Sequence, residues 1–145
     1  MQIWVDADAC PNMIKAIIYK AAERKQIITT FVANQLLSLP RSNYLRFIRV
    51  AKGIDQADKT IVELINAGDL VITADIPLAN EVLNKHANVI TPRGESFDLD
   101  TIKQRLIMRD FMETLRASGI QSDGPSAMSA KDRERFANQL QQYTR

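Results

Sequence analysis

The sequence predicts an α/β protein with three layers, α/β/α, built on a central, mostly parallel sheet. Its strand-like segments are short, apolar and rich in β-branched residues, and helical patterns stand between most of them. Strands that are apolar along their whole length are typical of parallel sheets buried on both faces. A chain of 145 residues suits one domain, over residues 1–145, that is long enough to bury a core.

Local sequence patterns predict the position of each strand and helix. Apolar runs predict strands at Ile3–Val5, Ile27–Val32, Arg46–Val50, Leu70–Thr73 and Asn88–Thr91. Apolar residues at helical spacing predict helices at Pro11–Arg24, Ala57–Ala67, Pro77–His86, Asp100–Ala117 and from Ser129 to about Gln142. Pro11 suits a first helical position, Gly68 suits a helix end, and Ser129 with Asp132 resembles a capping box. A loop from Ser118 to Met128 could cover a site.

Composition excludes several classes of protein. The charged fraction is 25%, and 19 basic against 17 acidic side chains leave a net charge of +2, which does not by itself indicate nucleic-acid binding. The only cysteine, Cys10, cannot form an internal disulfide, which fits a reducing compartment. There is no signal-peptide pattern, and no apolar run approaches the ~18–20 residues of a membrane span. These features predict a cytoplasmic protein with no membrane partner and leave its oligomeric state open.

Four aspartates are expected at one edge of the sheet. Asp6 follows the first strand, Asp8 lies two residues later, Asp75 follows the strand at 70–73, and Asp58 lies at the start of a helix. In an open parallel sheet, ligands bind beyond the carboxyl ends of the strands, near the point where strand order reverses. Clustered carboxylates repel one another unless a cation is bound, and oxygen ligands without histidine or thiolate favour Mg²⁺ or Mn²⁺ over zinc.

A structural interpretation of each aspartate stays open beside the metal one. An aspartate between a strand and a helix is often an N-cap or a turn former, because its side chain accepts backbone N–H bonds. The metal interpretation depends on the four positions being found together.

Five ordered blocks carry a resemblance to a known family. They are WVDADACP, GIDQADKTIVE, VITADIPLA, TPRGE and SDGPSAMSAKDRERF, and they cover nearly the whole chain. The chain resembles the YaiI/YqxD family of small bacterial proteins, and that family in turn resembles the PIN-like nucleases. The PIN-like resemblance implies a compact α/β domain in which acidic residues gather around Mg²⁺ or Mn²⁺ and cut RNA.

Carried over residue by residue, the resemblance implies roles for the same aspartates. Asp6 corresponds to the first PIN aspartate and Asp75 to the late strand-end aspartate, while Asp58 would be a middle ligand and Asp8 belongs to the YaiI/YqxD block itself. The chain departs from the pattern at Lys59, where a further acidic residue is often found. An ammonium group there would reduce the negative charge of the site or contact a phosphate.

Basic side chains are the candidates for holding a nucleic-acid backbone. Arg93 follows a strand end, and Arg105 and Arg109 lie within roughly 40° of one another on the long helix. With Lys59 they are predicted to bind RNA phosphates. The alternative is a solvated basic face, or arginines paired with acidic neighbours such as Asp110 and Glu113. The apolar residues of this helix, Met108, Phe111, Met112 and Leu115, are interpreted as core or as a dimer surface.

The predicted function is therefore a metal-dependent ribonuclease-like phosphodiesterase. The main alternative is a non-catalytic nucleic-acid-binding or adaptor protein on the same fold, which Lys59 favours. Cysteine catalysis is a third possibility, since Cys10 would lie at a helix N-terminus, where a thiol pKa can fall. A cysteine phosphatase also needs an arginine six residues on, where this chain has Ala16, and the only histidine is His86. The sequence favours a packed cysteine.

Overall fold

The computed structural model describes residues 1–53, 55–119 and 127–145. The strands in this part of the chain are β1 (Ile3–Asp6), β2 (Thr29–Ala33), β3 (Leu45–Arg49), β4 (Leu70–Ile72) and β5 (Asn88–Ile90). The helices are α1 (Asn12–Lys25), α2 (Gln56–Leu64), α3 (Ile76–Asn84), α4 (Leu99–Ala117) and α5 (Ala130–Tyr143). Every predicted element is present, with ends shifted by three residues or fewer.

The strands form one parallel sheet in the order β3-β2-β1-β4-β5. The chain adds β2 and β3 on one side of β1, then crosses over to add β4 and β5 on the other side. The reversal of strand order therefore lies between β1 and β4. The predicted parallel sheet is confirmed, and its central strand is the one that carries Asp6.

Helices cover both faces of the sheet. Alternate residues of β1 point to opposite faces, so Ile3 and Val5 pack with buried residues of α1 and α5, among them Ile14 and Phe136. Trp4 points the other way, into a second cluster that contains residues of α2, α3 and α4, among them Ile61, Leu78, Val82 and Ile102. The three-layer α/β/α architecture is confirmed.

One predicted helix end is wrong. The α2 helix ends at Leu64, three residues before the predicted end, because Ile65 is buried in an extended conformation with φ −68° and ψ 151°. The buried Asp69 carboxylate holds the turn that follows: it accepts hydrogen bonds from the backbone N–H of Gln2 and Asn66 and from Trp4 Nε1. Gly68 belongs to this turn, with φ +87°, and does not terminate the helix.

The long helix α4 is not core along most of its length. Ile102 is the only one of its residues that is fully buried, while Met108 and Phe111 are 55% and 56% exposed. The core interpretation of these two side chains is wrong, and their role as a dimer surface stays a prediction. Across the described ranges, no helix has both the length and the apolar character that a membrane crossing requires. Most of the predicted covering loop, residues 120–126, lies outside the described residues.

Candidate functional site at the carboxyl edge of the sheet

Asp6 and Asp75 lie on either side of the strand-order reversal, and Thr73 links them. Asp6 is the last residue of β1, and Asp75 is the N-cap of α3, three residues after the end of β4. The Thr73 hydroxyl donates to Asp6 Oδ2 at 2.9 Å and accepts from the backbone N–H of Asp75 at 3.0 Å. Thr73 thereby orients one carboxylate and positions the loop that carries the other.

Asp75 also has the structural role that the alternative interpretation assigned to it. Its Oδ1 accepts from the backbone N–H of Leu78 at 3.0 Å and caps α3. A capping carboxylate is held in a fixed orientation, which is compatible with a second role in binding.

Asp58 brings a third carboxylate to the same place from the first turn of α2. Its pKa is raised to about 7, first by partial burial and then by the negative charges of Asp75 and Asp6 and a side-chain hydrogen bond with Asp75. Burial also raises the pKa of Asp6; the hydrogen bond from Thr73 opposes this, and the charges of Asp75 and Asp8 add to it. We call Asp6, Asp58 and Asp75 the acidic cluster.

Asp8 lies at the margin of this cluster and is exposed. Its carboxylate accepts from the backbone N–H groups of Asn34 at 2.9 Å and Gln35 at 3.4 Å, just after β2. It therefore holds a turn, although its charge still acts on Asp6. The structure brings Asp6, Asp58 and Asp75 together and places Asp8 beside them.

The donor chemistry of the cluster fits a hard divalent cation. Every candidate ligand is a carboxylate oxygen. Burial, and to a smaller extent the neighbouring negative charges, raise the pKa of Asp6 and Asp58, and a bound cation would favour their charged forms. Among the described residues, no three side chains of His, Cys, Asp or Glu form a ready-made metal-binding group. Mg²⁺ commonly binds through one or two carboxylates and keeps several waters, so Asp6, Asp58 and Asp75 would hold it in this manner.

Arg93 and Glu95 are presented by a tight turn after β5. The Thr91 hydroxyl accepts from the backbone N–H groups of Arg93 and Glu95, at 3.2 and 3.1 Å. Gly94 has φ +83° and packs so closely on α5 that an added Cβ would lie 2.6 Å from the Phe136 backbone nitrogen. This contact explains the glycine in the TPRGE block. The Arg93 guanidinium donates to Asp132 at 2.9 Å and so joins the turn to the first turn of α5.

Two arginines of α4, Arg105 and Arg109, are paired with acidic neighbours. Arg105 Nη1 lies 3.1 Å from Glu95 Oε2, and its guanidinium lies 5.3 Å from the centre of the Phe97 ring. Arg109 pairs with Glu113 at 3.2 Å, as the alternative interpretation expected. Lys59 is exposed on α2, directly after Asp58.

Cys10 is a packed cysteine, as the sequence favoured. It is 5% exposed, and burial raises the pKa of its thiol to about 12, with Lys15 lowering the pKa and Asp6 raising it. The thiol is therefore protonated at neutral pH and is a poor nucleophile. His86 lies at the opposite edge of the sheet, where its carbonyl accepts from the backbone N–H of Gly68 just before β4.

Sequence reasoning missed the partners that orient the predicted residues. The apolar run at 70–73 predicts only a strand end at Thr73, although a hydroxyl residue at the end of an apolar run, two positions before an aspartate, is a usable signal. Glu95 and Phe97 contact Arg105 although they lie ten and eight positions before it in the sequence, and no local pattern indicates such contacts.

Comparison with known proteins assigns the family. The family model described as "Uncharacterized BCR, YaiI/YqxD family" matches residues 4–145. The chain belongs to the YaiI/YqxD family. A UPF0178 protein of Pectobacterium carotovorum is 57% identical over 143 residues, which cover 99% of this chain and 95% of that protein. UPF0178 proteins of Dechloromonas aromatica and Proteus mirabilis are 58% and 57% identical over the same length and with the same coverage.

These YaiI/YqxD relatives have names that state no activity. No solved structure was found to match the chain.

Proposed function

We propose that this YaiI/YqxD protein is a divalent-cation-dependent phosphodiesterase that acts on RNA at the acidic cluster. The observation that carries the proposal is the meeting of Asp6, Asp58 and Asp75, from three separate elements, at the strand-order reversal. Burial and neighbouring carboxylates raise the pKa of Asp6 and of Asp58, and groups with such perturbed pKa values concentrate at functional sites. The PIN-like resemblance supports the same reaction class by analogy.

The residues of the cluster have separable roles. Asp6, Asp58 and Asp75 would hold Mg²⁺ or Mn²⁺, and Thr73 keeps Asp6 oriented through its 2.9 Å hydrogen bond. A bound divalent cation supplies Lewis acidity toward a phosphoryl oxygen and lowers the pKa of a coordinated water. Asp58 holds a proton below about pH 7 in the cation-free protein and must release it to act as a ligand. Asp8 would orient the edge of the site through the turn at Asn34.

Basic groups around the edge are proposed to hold the RNA backbone. Arg109 and Lys59 are exposed and lie on the two helices α4 and α2. Arg93 and Arg105 lie on the β5 side, and their ion pairs reduce the charge that they offer to a phosphate.

Cleavage of RNA by matched variants tests the proposal. We expect the wild-type protein with Mn²⁺ to cut a labelled single-stranded RNA slowly, and EDTA to abolish cutting. Asp6→Asn keeps the shape of the side chain but removes a charge, and we expect it to lower the rate about 100-fold or more. Asp100→Asn, on an exposed side chain in the first turn of α4, is the control and is expected to cut like the wild type.

Two outcomes would contradict the phosphodiesterase. Equal cutting by Asp6→Asn and wild-type protein would assign the activity to a contaminant. Absence of cutting, together with salt-dependent RNA binding, would favour the adaptor alternative, which is supported by Lys59 and by the lack of a ready-made ligand group among the described residues.

A further inference from the structure

A groove lies beside the acidic cluster, on the β5 side of the carboxyl edge. It has a volume of about 410 Å³, within the ~300–1,000 Å³ range of small-molecule sites. Its walls come from the segments that follow β1, β4 and β5 and from α4. We call it the Arg105 groove and define it by Pro11, Ile76, Met128, Arg93, Glu95 and Arg105.

Each arginine of the Arg105 groove is paired with a carboxylate. Arg105 is paired at 3.1 Å with Glu95, which also lines the groove, and Arg93 is paired at 2.9 Å with Asp132, which lies outside the lining. A phosphate that entered the groove would meet guanidinium groups whose charge is already balanced by these partners, and the acidic cluster lies next to it. The groove therefore offers little net attraction to an anion, whereas a neutral polar group would enter without repulsion.

The Arg105–Glu95 pair offers donors and an acceptor side by side. Within the described residues, the Arg105 guanidinium donates one hydrogen bond, from Nη1 to Glu95 Oε2, so other N–H donors and Glu95 Oε1 remain for a ligand. The Phe97 ring, 5.3 Å from the guanidinium, and Glu95 together hold Arg105 in place, which reduces the entropy lost on binding. Pro11, Ile76 and Met128 make another part of the groove lining apolar.

A nucleobase has the matching chemistry. Its faces are apolar and stack on such side chains, while its edge carries donors and acceptors together. Arginine binds the O6 and N7 acceptors of guanine, and a carboxylate accepts from base amino groups. We propose that the Arg105 groove binds a nucleobase of the RNA, guanine best, through the Arg105–Glu95 pair, while the adjoining backbone passes the acidic cluster. The inference rests on the proposed function in that it takes the base from RNA.

Binding without cleavage tests this proposal. Guanosine 5′-monophosphate is titrated into the full chain in EDTA, against ribose 5-phosphate, which carries the same sugar and phosphate but no base. Amide resonances of the protein report binding. We expect saturable shifts around Ile76 and Glu95 with a Kd on the order of millimolar, and no shifts at these positions with ribose 5-phosphate.

Glu95→Gln distinguishes a base site from a phosphate site, because the two predict opposite changes in nucleotide affinity. We expect it to weaken nucleotide binding at least about 5-fold by removing a charged acceptor. If the groove instead reads the phosphate, removing the Glu95 charge would strengthen binding of both ligands, and that result overturns the proposal. Glu81→Gln, which makes the same charge change on an exposed residue of α3 outside the groove, is expected to bind like the wild type.

Arg105→Ala provides a second variant should Glu95→Gln unfold, and it is expected to abolish the shifts. Absence of nucleotide binding by the wild-type protein also overturns the proposal. Nucleotide binding without RNA cleavage would support the base site in the groove and refute the phosphodiesterase. RNA cleavage without nucleotide binding would support the phosphodiesterase and refute the base site.

Discussion

Replacing Asp58 by asparagine tests the electrostatics of the acidic cluster directly. Asparagine keeps the shape of the side chain, and its amide can donate to Asp75 as a protonated acid does. The wild-type carboxyl group has its pKa raised from 3.8 to about 7 in the folded protein. It therefore stabilises the fold most below about pH 4, and that contribution is lost as the pH rises through about 7. Asparagine does not titrate, so the stability of the variant lacks this dependence on pH.

The expected magnitude follows from the pKa. At about 1.4 kcal/mol per pKa unit, a rise from 3.8 to about 7 corresponds to about 4 kcal/mol. Because Asp58 is partly exposed, solvent screening reduces this to about 1–2 kcal/mol. Between pH 4 and pH 8 in EDTA, Asp58→Asn should gain that amount of unfolding free energy relative to the wild type, or about 3–6 °C in Tm.

Urea unfolding at several pH values measures the difference in unfolding free energy between Asp58→Asn and the wild type, and Asp110→Asn is the matched control. The corresponding difference for the control should not change with pH by more than about 0.5 kcal/mol. If the difference in unfolding free energy between Asp58→Asn and the wild type is also constant from pH 4 to pH 8, the reasoning is refuted, because the carboxyl group then titrates alike in the folded and unfolded chains. Addition of Mn²⁺ at pH 8 should raise the Tm of the wild type more than that of Asp58→Asn, since the variant lacks one ligand charge.

Two further predictions concern packing around the site. Because burial raises the pKa of the Cys10 thiol to about 12, iodoacetamide at pH 8 should alkylate native protein at least about 10-fold more slowly than protein unfolded in urea; equal rates would contradict the burial. Gly94→Ala should lower the unfolding free energy by about 2 kcal/mol or more, because its Cβ would lie 2.6 Å from the Phe136 backbone nitrogen. Gly68→Ala has a similar positive φ but nothing within 4 Å of its Cβ, so it should cost only about 1 kcal/mol, and equal losses would refute the contact argument.

The local patterns of the sequence were enough to locate each helix and strand in the described part of the chain, because these patterns depend on neighbours within a few positions. The capping box at Ser129 and Asp132 is confirmed in this way. Alternation of apolar strands with helices was also enough to predict a parallel sheet covered on both faces. It followed that Asp6 and Asp75, each directly after a strand, would share one edge. These properties were determined by the sequence alone.

The tertiary structure decided what each side chain contacts. Asp58 lies at the start of a helix whose pattern says nothing about its neighbours; only the packing of α2 against the sheet edge brings its carboxylate to Asp75 and raises its pKa. Arg105 lies in α4 and Glu95 lies ten residues earlier in the turn after β5, so their pairing, and the groove that they line, depends on how α4 packs beside that turn. Such contacts join residues that are distant along the chain, and their geometry depends on the packing of whole elements rather than on any local preference.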